Sequence, residues 1–588
     1  MNINNKLRLL REEMARHNID IYIVPTCDFH GSEEIGEFFQ TRKYMSGFTG
    51  SAGTLVVTKN EALLWTDGRY FVQAKEQLAG TEIRLMKSGQ KGVLTIREYI
   101  ERQSGNIGFD GRMMSAHEAE GYRTLGVKIN SDLDLVGKIW KDRPGISCEK
   151  IWILEEQYAG KTAGEKITEI RERMKAEGVE VLLITALDET AWILNLRGND
   201  IKCSPVFMSF MLLTMKESIV FCSKEALGNP ILEYLKHNDI EIKDYDEIYG
   251  FVESIRNSKI WLDKSTANDK IINVIHNSNT IMDKLSPALK LKAVKNKTEI
   301  KNMKKAHILD GIAMTKFIYW LKSNVGKQYM DELLLGKKLE EFRSVAESYL
   351  EPSFPPIVGY REHGAIVHYS ATEKTNYRIT DESMVLIDSG GHYLEGTTDI
   401  TRTISLGNAT DKMKKMYTAV LKGHLNLLAA VFKKGCTGVS LDYIARKPLW
   451  DMGMDYNHGT GHGVGYLLNV HEAPNALRYR MLENSELNAV FEPGMVTSNE
   501  PGVYLEGEFG IRIENLIVCQ EKETNEYGEF LEFETLTYVP YDMELIDESL
   551  MSEEEIKLLH NYHKKVYEKI SPYLDSQEKE WLQTFVTY

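Results

Sequence analysis

Two aspartates, one histidine and two glutamates stand close along the chain in settings that suit metal ligation: Asp388 in MVLIDSGG, Asp399 in GTTDITRT, His462 in HGTGHGVG, Glu500 in TSNEPG and Glu514 in GIRIEN. Each occupies the end or middle of a short β-like run, or a Gly-rich turn, where a side chain can be held and aimed inward. Four carboxylates gathered in one pocket repel one another, and like charges a few Å apart cannot all stay ionised without compensation. Two divalent cations would balance the four negative charges, and a neutral imidazole adds a nitrogen ligand without charge. Taken singly each acid has a bland explanation, since an Asp before Gly-Gly is commonly a turn former. The set carries the reading, because all four acids lie in apolar or Gly-rich contexts where an unpartnered carboxylate is costly. Oxygen-rich ligation with one imidazole favours manganese first, then zinc, cobalt or iron.

The same residues, taken with VHYS at Val367 to Ser370, NVHE at Asn469 to Glu472 and EPGVY at Glu500 to Tyr504, resemble the pita-bread metallopeptidases: methionine aminopeptidase, prolidase and aminopeptidase P. The separations, 11 residues between the aspartates and 14 between the glutamates, match the aminopeptidase P branch, and its large three-domain cytosolic form fits best. The resemblance implies an α+β chain with a C-terminal pita-bread (creatinase/aminopeptidase-like) catalytic domain preceded by two creatinase-type N-terminal α/β domains. It implies a metalloexopeptidase that cleaves between an N-terminal residue and a penultimate proline, in a cytoplasmic homodimer. It also assigns roles: Asp399 and Glu514 bridge two ions, Asp388 completes one, and His462 with Glu500 completes the other. Such ions lie about 3.5–4 Å apart and acidify a water toward hydroxide. Glu500 then shuttles its proton to the leaving nitrogen. His368, His458 and His471 match the family's non-ligand active-site histidines. His368 and His471 are candidates to donate to the developing oxyanion, and His458 is a candidate to line the proline pocket. Arg512, two residues before Glu514 and read as sharing its strand face, is a candidate for a bidentate grip on a carboxylate ligand, with a surface salt bridge as the plain alternative.

Three other readings meet specific objections. Prolidase shares the metal site but usually has one N-terminal domain, whereas some 290 residues precede the catalytic part here. A non-catalytic pita-bread protein that binds peptides or histones loses ligands, and all five are present. Metal-free, creatinase-like hydrolysis fails on the same ground.

The elements that must position these residues are legible in outline. LREEMARHNIDIYIVPTCD (Leu10 to Asp28) aligns with IRERMKAEGVEVLLITALD (Ile170 to Asp188) at an offset of 160 residues. Each copy reads as an amphipathic helix, a tight turn and an alternating strand. Two domains of common design follow, at 1–145 and 146–291, with Arg143-Pro144-Gly145 as the linker; TDGRYFVQA (Thr66 to Ala74) resembles the creatinase-type motif. A catalytic domain at 292–541 opens with a helix capped by Asn296 and Glu299. Its stripe runs through Ile300, Met303, His307, Gly311, Met314, Ile318 and Leu321, with His307 as a core histidine. A second helix is expected from Thr410 to Gly435 with His424 in its buried face. The extension 542–588 is helical, starting at a Ser552/Glu555 capping box. Too short to bury its own stripe, it is expected at a two-fold subunit contact, with docking on the catalytic domain of the same chain as the alternative.

The rest of the sequence narrows the function classes. Net charge of −15, with no basic cluster, argues against nucleic acid as a partner. The longest apolar runs, such as Val206 to Met215, are half the ~20 residues a spanning helix needs. The charged N-terminus lacks the apolar core of a secretory signal, so export is not expected. Cysteines 27, 148, 203, 222, 436 and 519 form no Cys-x-x-Cys pair and read as reduced thiols. The alternating glycines Gly459 to Gly465 lack the spacing of a dinucleotide fingerprint, and Gly160-Lys161-Thr162 has Glu155 where a phosphate loop needs its first glycine.

Overall fold

The computed structural model describes residues 1–482 and 484–587. The chain divides into two compact units: Met1–Leu154 with Lys161–Ala288, and Glu155–Gly160 with Leu289–Tyr588.

The first unit holds two six-stranded sheets built to one plan. One runs Ile83–Lys87, Ala62–Thr66, Thr54–Thr58, Ile21–Pro25, Ile107–Gly108, Ile129–Asn130; the other runs Glu241–Lys243, Ser218–Cys222, Ser209–Thr214, Val181–Ile184, Lys259–Leu262, Thr280–Asp283. In both, the first pair is parallel, the next two antiparallel and the last two parallel. The repeat extends to details. Asn18 and Gly178, 160 positions apart, both turn the chain at positive φ, 54° and 61°. Arg11 Nε donates to Thr58 O and Arg171 Nε to Thr214 O, each at 2.9 Å. The strands differ from the expected alternation: every residue of Ile21–Pro25 and of Val181–Ile184 is buried. Strands covered on both faces read as continuous apolar runs.

In the second unit the helix Lys297–Asn324 begins at an Asn296/Glu299 capping box and buries Met303, His307, Gly311, Met314, Ile318 and Leu321. His307 Nδ1 lies 2.7 Å from Met303 O, as a core histidine would. Met314, Phe317 and Leu321 pack with Val385, Ile387, Ile400 and Ile404 of the strands Met384–Ser389 and Ile400–Ser405. A six-stranded sheet runs Val431–Lys433, Gly528–Thr535, Asn515–Asn525, Val496–Asn499, Gly461–Gly463, Glu472–Leu477.

Two expectations are corrected here. The helix capped by Thr410 spans Asp411–Leu428 and stops short of Gly435. Val431–Lys433 instead pairs with Gly528–Thr535, exposing Val431 while Phe432 packs on Phe491 and Phe533. The tail does not hold its stripe out for a partner. Leu559, Tyr562, Val566 and Ile570 of the helix Glu553–Ile570, with Leu582 and Phe585, join one core with Met416, Tyr417, Val420 and Leu425 of the catalytic domain. Tyr562 also receives a hydrogen bond from the buried Arg402, 3.0 Å away.

Candidate active site

Strand register brings the five ligand candidates to one place. In the antiparallel pair Met384–Ser389 and Ile400–Ser405, Asp388 faces Thr401, and Asp399 immediately precedes the second strand. In the larger sheet Asn499 faces Asn515, so Glu500 and Glu514 leave the same end of a strand pair side by side. Gly463 pairs with Thr497 on the other flank, and His462 N donates to Ser498 Oγ at 2.9 Å. Donor atoms of Asp399, His462 and Glu514 consequently lie within 4.8 Å of one another. His462 Nε2 stands 3.5 Å from Asp399 Oδ2 and 3.3 Å from Glu500 Oε1.

The donor set fits divalent cations on two grounds. The first is a pattern of half-satisfied acids. Arg512 Nη2 donates to Asp388 Oδ2 at 2.6 Å and Thr401 Oγ1 to Glu514 Oε2 at 2.8 Å. The other oxygens, Asp388 Oδ1 and Glu514 Oε1, and also Asp399 Oδ1, are buried and meet no donor among the described residues. Buried polar atoms are ordinarily paired, so three orphans converging on one pocket mark a missing electropositive partner. The second ground is charge. Burial, then the charges of Asp388 and Glu500, push Asp399 well above the carboxylate range. Burial, then Asp399, Glu500 and Asp388, do the same to Glu514. Burial raises Glu500 to about 7 against the pull of Arg512. His462 Nδ1 lies 3.0 Å from Gly463 O, a bond it makes as N–H donor, which turns Nε2 toward the carboxylates. A histidine oriented this way presents its lone pair as a metal ligand.

The remaining candidates stand around this cluster. His471 is exposed at the rim, its ring 4.3 Å from that of His462. His368 is half-buried in a turn next to Val367, whose carbonyl accepts from Arg512 Nη2 at 3.4 Å. His458 is engaged at both nitrogens, Nδ1 with Gly459 O at 2.7 Å and Nε2 with Tyr504 OH at 2.8 Å. Arg512 needs correction on two counts. It ends the strand Phe509–Arg512, while Glu514 lies outside that strand, so the two share no strand face. Its grip on Asp388 is through one nitrogen rather than two, the others going to Tyr504 OH at 2.8 Å and Thr401 Oγ1 at 3.2 Å. Burial lowers its affinity for the proton, but Tyr504, Asp388 and Glu500 outweigh that and hold it charged.

Several partners were not singled out from the sequence. Thr401 and Ser498, the latter 3.0 Å from Glu500 Oε1, steady the glutamates, and Tyr504 links Arg512 to His458. Beneath the His458 loop, the fully buried Arg446 donates to Asp442 Oδ2, Asp455 Oδ1, Tyr456 O and His458 O at 2.6–2.8 Å. Thr460 Oγ1 donates to Asp442 Oδ1 at 2.5 Å, while Thr460 O receives Glu500 N at 2.8 Å. Tyr504 and Thr401 sit inside motifs quoted above, which was the available signal; for Arg446 there was none beyond its spacing of four from Asp442.

Residues 301–521 match the model of metallopeptidase family M24. The chain belongs to that family. Residues 6–138 and 142–299 each match the creatinase/prolidase N-terminal domain, and 529–586 match the C-terminal region of the M24 peptidases. Aminopeptidase P2 of Arabidopsis thaliana is 38% identical over 99% of this chain and 88% of its own. Xaa-Pro aminopeptidase 2 of Sus scrofa is 37% identical over 99% and 88%. Among solved structures, X-prolyl aminopeptidase from Caenorhabditis elegans, described as a cytosolic enzyme with a di-nuclear active site, is 32% identical, covers 100% of both chains and superposes with a TM-score of 0.94. This M24 chain is thus an α+β metallopeptidase with creatinase-type N-terminal domains ahead of a pita-bread catalytic domain.

Proposed function

We propose that this chain is an Xaa-Pro aminopeptidase, hydrolysing the bond between an N-terminal residue and a following proline. A peptide bond to proline lacks an N–H and has φ fixed near −65°. A peptidase that grips the second residue's N–H cannot use it, so a dedicated site is required. The observation that carries the reading is the end-to-end likeness to named Xaa-Pro aminopeptidases, joined to the convergence of the Asp399, His462 and Glu514 donors.

Asp388, Asp399, His462, Glu500 and Glu514 would hold two divalent cations, manganese by the chemistry of the donor set, with zinc or cobalt as alternatives. Bound there, the cations supply Lewis acidity to the scissile carbonyl and to water. Glu500 is then the group that takes a proton from the attacking water at a carboxylate oxygen and delivers it to the proline nitrogen. His471 and His368 donate to the carbonyl oxygen as negative charge develops there. His458, with both nitrogens occupied, offers its ring rather than an N–H, which suits a wall of the proline pocket. Arg512 orients Asp388 and, through Tyr504, His458.

We further read residues 1–145, 146–291, 292–541 and 542–588 as the functional segments, and the enzyme as a cytoplasmic homodimer without nucleic-acid or membrane partners. No helix among the described residues is long and apolar enough to cross a membrane. The six cysteines are free, in keeping with a reducing compartment. Pairing is supported by an exposed apolar cluster on the catalytic domain: Tyr443, Trp450 and Tyr479, with ring centroids 5.8 and 6.1 Å apart. Exposed apolar clusters are the kind of surface that marks interaction sites.

The test is turnover of matched peptides, Xaa-Pro-Xaa against Xaa-Ala-Xaa and the dipeptide Xaa-Pro, by metal-loaded protein. The reading expects rapid release of the first residue only from the tripeptide with penultimate proline. Preference for the dipeptide would make the enzyme a prolidase, and turnover of none would leave a binding protein.

A further inference from the structure

The catalytic domain buries one carboxylate that the chemistry above does not use. Glu332 opens the helix Glu332–Arg343, and its side chain is fully buried. Oε1 accepts from Tyr360 N at 2.9 Å and faces His363 Nδ1 at 2.8 Å; Oε2 accepts from Tyr369 OH and from Tyr377 N, both at 2.9 Å. A carboxylate has about four acceptor positions, so this one is filled. Because an ionised carboxylate has no proton to give, the His363 nitrogen facing it carries the hydrogen. The His363 ring lies against those of Tyr369 and Tyr377, with centroids 4.3 and 3.8 Å away.

All four donors come from the stretch Tyr360–Tyr377. After the short 3-10 helix Arg361–Ala365 it contains no helix or strand, so no ladder sets its path. That stretch carries His368. Its middle is held from the metal side, where Arg512 Nη2 reaches Val367 O at 3.4 Å while holding Asp388. It is also pressed onto the hairpin that carries Arg512: a Cβ added at Gly510 would stand 1.7 Å from Gly364 O. Local turns pair some of its backbone, Tyr369 N with Ile366 O and Asn376 N with Thr372 O, and a side chain on another element holds it at Tyr377 N, at the Tyr369 hydroxyl and, before it, at Tyr360 N, through charge-assisted bonds, the stronger kind.

We propose that Glu332 is a positioning residue for His368: its four-donor clamp fixes where the His368 imidazole stands, and so sets the rate of turnover without touching substrate. The proposal rests on the reading of His368 as a donor to the developing oxyanion. Displacement of a catalytic group by about 1 Å can lower a rate about 10²-fold, so partial loss of the clamp should be visible in kcat.

The experiment measures kcat, KM and metal content for Glu332→Gln and Tyr369→Phe, each alone and combined with His368→Ala, on an Xaa-Pro-Xaa peptide. Gln offers one acceptor oxygen where Glu offers two, and Phe removes one donor. Expected are a fall in kcat of about 10- to 100-fold for Glu332→Gln and a smaller one for Tyr369→Phe, with KM and metal content near wild type. In the His368→Ala background neither change should lower kcat further, since groups acting through one another are not additive. The same fold-loss in both backgrounds would overturn the proposal, as would an unchanged kcat with only a lower Tm. If Glu332→Gln fails to fold, Tyr369→Phe and His363→Phe carry the same cycle. A His368→Ala enzyme with wild-type kcat would overturn this inference together with the role of His368, while selective cleavage of penultimate-proline peptides would leave the function standing.

Discussion

Asp310, Asp442 and Glu472 are buried as deeply as Asp399 and Glu514 in the same domain, but they are met differently. Asp310 faces Arg343 at 2.7 Å and Asp442 faces Arg446 at 2.6 Å; Glu472 lies between Lys292, at 2.9 Å, and Lys295. Around the metal-site cluster, among the described residues, the one guanidinium that bonds any of the four carboxylates is that of Arg512, on Asp388. Where the chain supplies the cation, the acid belongs to the framework. Where four acids crowd together with one cation, the balance has to arrive from solution, and the orphaned oxygens show where.

The comparison breaks most visibly at the expected bridges. Asp399→Asn or Glu514→Gln should lose both metals and essentially all activity, checked by elemental analysis beside a peptide assay. Without metal the same variants should be more thermostable than wild type, because a repelling charge is gone. With saturating metal the order should invert, since only wild type gains binding energy. Asp310→Asn is the counterpart from the framework: it leaves Arg343 buried without its charge partner and should cost about 3–5 kcal/mol of stability with metal stoichiometry unchanged. If Asp310→Asn emptied the site while Glu514→Gln did not, the distinction between the two sets of acids would be wrong.

Smaller effects follow among groups that hold no metal alone. Glu500→Gln should lower kcat by orders of magnitude while retaining part of the metal, and normal turnover would remove it as the proton shuttle. His471→Ala is expected to reduce kcat by roughly 10²-fold or more with little change in KM. His458→Ala should instead raise KM and relax the preference for proline. The opposite split between these two histidines would exchange their roles.

The pattern of the five ligand candidates was legible because each sits where local sequence already implies a strand end or a Gly-rich turn, and the 160-residue repeat because both copies keep the same turn and the same arginine bond. His307 and His424 read correctly as core from their place on apolar stripes. What escaped was set by partners far along the chain. The helix after Thr410 stops at Leu428 because Gly528–Thr535 is there to pair with Val431–Lys433. The tail's stripe looked unpartnered because Tyr417 and Leu425, which cover it, lie more than 100 residues away. Glu332 was invisible for the same reason, since nothing in its own helix announces four donors from the stretch Tyr360–Tyr377.

The tail and the buried histidines give the finest predictions. Truncation before Ser552 removes Leu559, Val566, Ile570 and Leu582, each contributing roughly 1.5–3 kcal/mol by burial, and uncovers Met416, Tyr417, Val420 and Leu425. That sum approaches the whole stability of a domain, about 5–15 kcal/mol. The truncated chain should therefore be insoluble or sharply destabilised, and a soluble, active product would contradict the observed packing. Burial pushes His424 and His563 down to about 3. Unfolded histidine titrates near pH ~6.5, so the unfolded chain binds more protons between these values. The contribution is complete above about pH 6.5 and is lost as pH falls toward 3. A His563→Gln variant should show a shallower loss of denaturation midpoint from pH 7.5 to 5 than wild type; parallel profiles would contradict this.

The most direct test of the central claim is a metal titration. Protein stripped by a chelator and verified metal-free by elemental analysis is assayed on an Xaa-Pro-Xaa peptide as manganese, zinc or cobalt is added back. The account predicts no turnover in the stripped protein and full recovery at about two equivalents per chain, the number that balances four carboxylates. Full activity in the verified metal-free protein would contradict it.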